Sequence, residues 1–114
     1  MEIAGVRITP QTAVVLKALR DAPKDGLYGL QVAEAVHLPT GSIYPILLRL
    51  EQAGWVIGVW EDPQQVAAEK RRRRRRFYVL TALGRRLAGD AIQRTEAVWV
   101  LEPKGQLDTP GASA

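Results

Sequence analysis

The sequence predicts a mainly α-helical domain that carries a small two-stranded β-hairpin. Three stretches before Gly54 have apolar residues at helical spacing, and two short stretches rich in aromatic and β-branched residues follow them. A run of six arginines, 71–76, directly precedes the second short stretch. With 114 residues, the chain is long enough for one domain with a modest core.

The first helix is predicted to begin at Thr9 and Pro10. A threonine can cap a helix, and proline fits the first helical position because its missing N–H would have no intrahelical acceptor there. Pro23 and Gly26 then end the helix. The residues expected to face the core recur at helical spacing and are Thr12, Val15, Leu16 and Leu19.

Two more helices are predicted on either side of a tight turn over residues 37–41. The second helix spans Tyr28 to Val36, and the third runs from about Ser42 to Ala53, with Gly54 as its stop. The third helix is expected to be capped by Thr40 or Ser42. Pro45 is compatible with this helix because a proline in the first turn has little hydrogen bonding to lose.

After Gly54 the pattern changes from helical to strand-like. Residues 55–60 and 77–80 are the predicted strands, which would pair as a hairpin with the arginine run at its tip and return side. Thr81 then caps a last helix that ends at Pro103. Residues 103–114 are predicted to form a disordered tail.

The positive charge of the chain is concentrated in one segment. Seven of the 16 Lys and Arg residues lie at positions 70–76, and the remaining nine are outnumbered by 12 Asp and Glu. A focused positive field attracts a polyanion such as nucleic acid, whereas a solvated loop or a targeting address are the alternatives. Strand alternation would divide the run between two faces, with Arg72, Arg74 and Arg76 on one and Arg71, Arg73 and Arg75 on the other.

Composition argues against several other classes of protein. The chain has no cysteine and one histidine, so it offers neither a disulfide framework nor a metal site. It has no Gly-rich phosphate loop and no nucleophile beside a base, which argues against an enzyme or a bound cofactor. No apolar stretch reaches the length of a membrane span, and residues 1–8 do not resemble a secretory signal. We therefore expect a cytoplasmic protein that associates with the nucleoid when it binds DNA.

Three helices followed by a hairpin make a winged helix-turn-helix. In this architecture the third helix enters the major groove of DNA, and the hairpin wing reaches the backbone or the adjacent minor groove. The arginines fall where a wing requires cations.

The start of the third helix supplies the other candidate DNA contacts. The hydroxyls of Thr40 and Ser42, together with backbone N–H groups such as that of Gly41, could bind phosphate, or the hydroxyls could simply cap the helix. Tyr44 follows a buried position and should face outward, either toward DNA or against the wing. Arg49 could bond a phosphate or a guanine edge, or form an ion pair within the protein.

Two segments carry a resemblance to the PadR-type winged-helix transcriptional regulators. Residues 41–54 (GSIYPILLRLEQAG) resemble that family's Gly-Thr-Leu-Tyr-Pro-x-Leu-x-Arg-Leu-Glu-x-x-Gly signature, and residues 75–84 (RRFYVLTALG) are similar to its Arg-Lys-Tyr-Tyr-x-Leu-Thr-x-x-Gly segment. The resemblance covers roughly residues 9–90. The chain departs from the family in the short segment 36–41 and in its longer, more basic wing.

The last helix carries two apolar stripes. Leu83, Leu87, Ala91 and Val98 are expected to pack on the core. The neighbouring stripe is the expected dimer or ligand interface, and it consists of Ala88, Ile92 and Trp99. The resemblance implies a homodimer formed through this helix and, in some members, a flat aromatic effector at that interface. The alternative is that Trp99 is an ordinary core or interface tryptophan.

The sequence thus predicts a DNA-binding region over residues 1–81 and a dimerisation helix over residues 82–102. The predicted function is sequence-specific binding to double-stranded DNA as a homodimeric transcriptional repressor, on half-sites about one helical turn apart. Two alternatives remain. A non-specific DNA or RNA binder driven by the arginines would show steep salt dependence without site preference. A protein-interaction module would use the wing to hold an acidic partner.

Overall fold

Helices dominate the part of the chain that the computed structural model describes, which is residues 1–64, 66 and 73–101, with residues 97–101 in backbone only. The helices that position the site are α1, α2, α3 and α4. They span Pro10–Arg20, Gly29–Val36, Thr40–Gln52 and Ala82–Leu101. This confirms the mainly helical fold, and none of the helices in these ranges is long and apolar enough to cross a membrane.

Two small antiparallel sheets complete the fold. Strands β1 (Glu2–Ile3) and β2 (Val6–Arg7) pair with each other. In the second sheet β5 (Arg76–Leu80) lies between β3 (Leu27–Tyr28) and β4 (Val56–Trp60). The register of β4 against β5 runs from Val56 opposite Leu80 to Trp60 opposite Arg76. The predicted hairpin is therefore present, and a third strand from the start of α2 is added to it.

The N-terminal hairpin was not predicted from the sequence. Its turn places Ala4 at φ 49° and Gly5 at φ 82°, and an alanine is rarely found in that left-handed region. The hairpin buries Ile3, Val6 and Ile8, so its apolar residues belong to the core. The sequence around Ala4 gives no local signal for a turn. The hairpin can be recognised only from the contacts of its apolar residues with the core.

The predicted start of α1 is confirmed, whereas the predicted cap of α3 is wrong. Thr9 Oγ1 accepts a hydrogen bond from the backbone N–H of Thr12 at 3.1 Å, and Pro10 is the first helical residue. In α3 the N-cap is Pro39, and neither Thr40 nor Ser42 caps the helix through its side chain. The reason is that α3 begins at Thr40, which is already helical.

The earlier start of α3 also moves Pro45 out of the first turn. Pro45 is an internal helical residue, so it cannot donate the backbone hydrogen bond that the carbonyl of Gly41 would otherwise accept. Gly41 is exposed, and water can satisfy that carbonyl. At its other end α3 terminates as predicted, since Gly54 adopts φ 81° and donates its N–H to the carbonyl of Glu51 at 3.0 Å.

Thr81 joins the end of α3 to the start of α4. Its hydroxyl donates to the carbonyl of Gly54 at 2.7 Å and accepts from the N–H of Gly84 at 2.9 Å. Gly84 packs so closely against Trp55 that an added Cβ would overlap the Trp55 carbonyl. This contact fixes how α4 is rotated about its own axis.

That rotation puts Ala91 in the core as predicted, but it overturns the assignment of Leu83 and of the second stripe of α4. Ala88 is fully buried and Ile92 is 5% exposed, so both lie in the core of their own chain and are not available to a partner. Leu83, expected in the core, is 38% exposed. The small side chains along the buried stripe let α4 approach α1 closely, which a count of apolar positions does not reveal. The prediction for the side chain of Trp99 lies outside the described residues.

Candidate nucleic-acid interface

A groove lies between α3, the start of α2 and the wing, by which we mean β4, β5 and the segment that joins them. Its volume is about 380 Å³. Aromatic rings and guanidinium groups line it, namely Tyr28, Tyr44, Trp60, Arg74, Arg75 and Arg76. We call it the aromatic–arginine groove. It places two kinds of predicted DNA contact, the third helix and the arginine run, on one side of the molecule.

The exposed start of α3 supplies backbone donors at the edge of this side. The first hydrogen bond of the helix is donated by the N–H of Ser42 to the carbonyl of Pro39, at 2.9 Å. The N–H groups of Thr40 and Gly41 precede it and therefore have no acceptor within the helix. Both residues are exposed and Ser42 is half-buried, so an anion could approach these donors.

Tyr44 faces outward, as the sequence predicts, and is 48% exposed. Its ring lies directly on Gly29, where an added Cβ would overlap the phenol. The first residue of α2 must therefore be small for Tyr44 to occupy this place. The ring lines the groove opposite the wing, so it contributes to the candidate interface and is held by α2.

Arg49 and Glu51 lie on opposite edges of the exposed face of α3. Arg49 is exposed and lies beside the N-terminal hairpin, near Arg7. No carboxylate in the described part of the chain pairs with it, so the ion pair considered as its alternative is not formed there. Glu51, on the other edge, forms an ion pair with Arg76 of the wing.

Sequence reasoning missed Leu48, which lies between those edges and is 54% exposed. It comes one helical turn after Tyr44, so the two side chains share a face. An exposed leucine at the middle of such a helix can contact the methyl group of thymine in the major groove. Its position four residues after the outward-facing Tyr44 could have predicted that Leu48 is exposed on the same face.

Three of the described wing arginines, Arg74, Arg75 and Arg76, lie against aromatic rings. The guanidinium of Arg74 lies 5.2 Å from the centroid of the Trp60 ring, and that of Arg75 lies 4.3 Å from the Tyr28 centroid. The guanidinium of Arg76 lies 5.5 Å from the centroid of the same Trp60 ring. The three residues thus follow the alternation expected of a strand. Arg73 is exposed, and Arg71 and Arg72 lie outside the described residues.

Trp60, the last residue of β4, is 51% exposed. Cation–π contact with two guanidinium groups explains why a large ring stands at the outer end of β4. Trp55, at the inner end of the same segment, is fully buried. The signal for Trp60 was its alignment with the arginine run across the hairpin.

The phenol of Tyr78 lies where α3 meets the wing. Burial raises the pKa of Tyr78 above its ordinary value of 10.0, and the nearby Glu51 and Tyr44 raise that pKa further. The Arg76 guanidinium lowers it by charge and by a hydrogen bond, without cancelling the rise. Tyr78 is therefore a neutral residue at physiological pH, packed beneath the Glu51–Arg76 pair.

No metal site accompanies this arrangement, because residues 1–64, 66 and 73–96 contain no group of three or more His, Asp or Glu side chains that could hold an ion. The site offers backbone N–H groups, hydroxyls, guanidinium groups and rings. These groups bind phosphate and base edges.

Solved structures that are similar to this chain include regulators of transcription. A MarR-family regulator from Rhodococcus sp. RHA1 is 28% identical with a TM-score of 0.62, and the match covers 82% of this chain but only 58% of that one. MepR of S. aureus, in a complex with DNA, is 20% identical with a TM-score of 0.57, over 89% of this chain and 73% of MepR. This second likeness shows the fold alone.

PcaV from Streptomyces coelicolor, solved with its natural ligand, is 31% identical with a TM-score of 0.60. The match covers 87% of this chain and 67% of PcaV. No curated protein matches the chain in sequence. Residues 15–90, more than half of the chain, match the PadR-like family of transcriptional regulators. The chain therefore belongs to the PadR-like family of transcriptional regulators.

Proposed function

We propose that this protein binds specific sites on double-stranded DNA as a homodimer and represses transcription. The observation that carries the proposal is the convergence of the exposed face of α3 and the stacked wing arginines on one side of the molecule. An α-helix with its side chains is about 10–12 Å wide, which fits a major groove about 12 Å wide.

In this mechanism α3 reads bases and the wing holds the backbone. Tyr44 and Leu48 face the base edges. The phosphates beside the start of the helix are contacted by Thr40, Gly41 and Ser42. Arg49 contacts the opposite edge of the DNA major groove. Arg74 and Arg75 contact phosphates or enter the minor groove at the flank. The rings of Trp60 and Tyr28 already restrain these two guanidinium groups, so little side-chain freedom is lost when DNA binds.

The homodimer is proposed to form through residues 82–102. Since Ala88 and Ile92 are buried within the chain, the contacts must come from the outer face of α4 or from its last turns, where Trp99 remains the candidate. Two-fold symmetry would impose half-sites about one helical turn apart. A small aromatic effector bound near the α4 contact could change the angle between the two DNA-binding heads. The ligand complex of PcaV supports an effector of some kind.

A competition experiment tests the proposal against its alternatives. Binding to the DNA upstream of the protein's own gene is compared with binding to random duplex at about 150 mM salt, the physiological ionic strength. We expect a preference of about a thousandfold or more. Equal, strongly salt-dependent binding to both would favour the non-specific binder. Weak binding to both would favour the protein-interaction module.

Two variants divide the roles of α3 and the wing. Leu48→Ala should lower the preference for the specific site while leaving binding to random duplex unchanged, since Leu48 is exposed and its truncation leaves no cavity. Arg74→Gln should weaken both by a similar factor because phosphate contacts carry no sequence information. The opposite pattern would contradict this division of roles.

A further inference from the structure

An ion pair between the wing and α3 distinguishes Arg76 from the rest of the arginine run. A terminal nitrogen of the Arg76 guanidinium donates to Oε2 of Glu51. Both side chains are partly shielded, with 31% of Arg76 and 29% of Glu51 exposed. Shielding of this degree makes a charge-assisted pair stronger than one on the open surface.

The rest of the Arg76 guanidinium is enclosed as well. It lies across Gly58, where an added Cβ would overlap Nε and Cζ. Its Cζ atom also lies 5.5 Å from the centroid of the Trp60 ring and 6.0 Å from that of the Tyr78 ring. Its charge is thus paired, whereas no carboxylate in the described part of the chain forms an ion pair with the guanidinium group of Arg74 or Arg75.

This pair lies where the hairpin leaves the body of the protein. Val56 and Leu80, at the inner end of the two strands, are buried in the core. At the outer end Trp60 is half-exposed, and Trp60 and Arg76 are opposite one another in the register. Beyond them the described hairpin is held by the N–H of Glu61, which donates to the carbonyl of Arg75 at 2.9 Å. The Glu51 contact is therefore placed to fix the outer wing against α3.

We propose that Arg76 is a positioning residue and not a phosphate contact, and that its pair with Glu51 sets the angle between the wing and α3 at which both engage one duplex. This inference rests on the proposed function. A fixed angle matters because the bases read by α3 and the phosphates held by the wing belong to one rigid DNA helix. A loose wing would lose its backbone contacts or distort those of α3.

The proposal predicts an effect of unusual sign for Glu51→Gln. Removing a negative charge from a DNA-facing surface ordinarily strengthens binding to a polyanion. If Glu51 acts only through its charge, the variant binds DNA more tightly. If it holds Arg76 in place, the variant binds its specific site more weakly, by about tenfold, or about 1.4 kcal/mol.

A double-mutant cycle provides the binding test. Glu51→Gln and Arg76→Gln should each weaken specific binding, and the double variant should be no weaker than the worse single variant, because both changes break one contact. Glu34→Gln, which removes an exposed acid from α2, controls for charge. Tighter binding by Glu51→Gln, or losses that add in the double variant, would overturn the proposal.

A second measurement without DNA separates this inference from the proposed function. Amide hydrogen exchange at Glu61, whose N–H donates to the carbonyl of Arg75, should accelerate in Glu51→Gln and Arg76→Gln but not in Glu34→Gln. Gly58→Ala, which displaces the guanidinium without changing any charge, should accelerate it too, while slow exchange in α1 and α3 reports intact folding. Unchanged exchange at the outer end of the wing would overturn the proposal that the Glu51–Arg76 pair positions the wing. If the wild type bound specific and random duplexes equally well, the proposed function would fail. The exchange result would still decide whether the Glu51–Arg76 pair fixes the wing against α3.

Discussion

The number of DNA phosphates that the wing neutralises can be read from the salt dependence of binding. We consider Arg74→Gln combined with Arg75→Gln, because these two guanidinium groups stack on rings, form no ion pair within the described part of the chain and line the groove. Each phosphate contact contributes about 0.9 to the slope of log K against log salt. Loss of both contacts should therefore reduce the steepness of that slope by about 1.8 per protomer.

The corresponding change in affinity is large enough to measure. Between 50 and 200 mM salt, a slope difference of about 1.8 per protomer means that wild-type affinity falls about tenfold more than that of the variant for each protomer bound to the duplex. The assay is titration of a labelled duplex at four or five salt concentrations. Random and specific duplexes should give the same slope difference, since the contacts are to the backbone.

A matched control removes the same charge elsewhere. Arg85 and Arg86 are exposed on the first turns of α4, which follows the inner end of β5, whereas the groove lies at its outer end. Gln substitutions there should change the slope by much less than those in the wing. Equal slope changes for the two pairs would show that net charge, and not placement on the wing, determines binding. A slope unchanged by the wing variant would refute the reasoning outright.

Three further predictions concern packing and ionisation. Gly84→Ala should lower the free energy of unfolding by about 1–3 kcal/mol because the new methyl group would meet the Trp55 carbonyl. In the same helix Gly89→Ala, which meets open space, should raise it by about 0.5–1 kcal/mol; denaturant unfolding that gives the same sign for both would contradict the assigned packing. The raised pKa of Tyr78 predicts stability that is complete below pH 10.0 and is lost as the pH rises further, because the unfolded chain releases the phenolic proton first. Between neutral pH and about pH 11, which is above the ordinary tyrosine pKa, the free energy of unfolding should fall less in Tyr78→Phe than in the wild type. An equal fall in both would show that burial does not raise the pKa of Tyr78.

Local signals in the sequence identified the elements but not how they are rotated. The Thr9 cap, the Gly54 stop and the strand-like segment after it each depend on a few neighbouring residues, and all were predicted. The N-terminal hairpin was missed because Ala4 gives no local sign of its positive φ. The buried stripe of α4 was misassigned because its rotation depends on the contact between Gly84 and Trp55, 29 positions apart in the sequence.

The candidate site shows the same limit. The concentration of positive charge in the arginine run and the outward orientation of Tyr44 could be predicted because charge and helical period are local properties. That Arg76 pairs with Glu51, 25 residues earlier, could not be predicted, since it follows from how the hairpin folds back on α3. Likewise, Trp60 could be recognised as a partner of arginines only once the strand register placed it opposite Arg76.

Selection from a pool of randomised duplexes tests the central claim most directly. The protein would be allowed to enrich DNA at about 150 mM salt, close to physiological ionic strength, and the bound pool would be sequenced. The account predicts an inverted repeat with half-sites about one helical turn apart. It also predicts that Leu48→Ala enriches a less defined motif. A bound pool indistinguishable from the input would contradict sequence-specific recognition by α3 and leave only an arginine-driven attraction to the backbone.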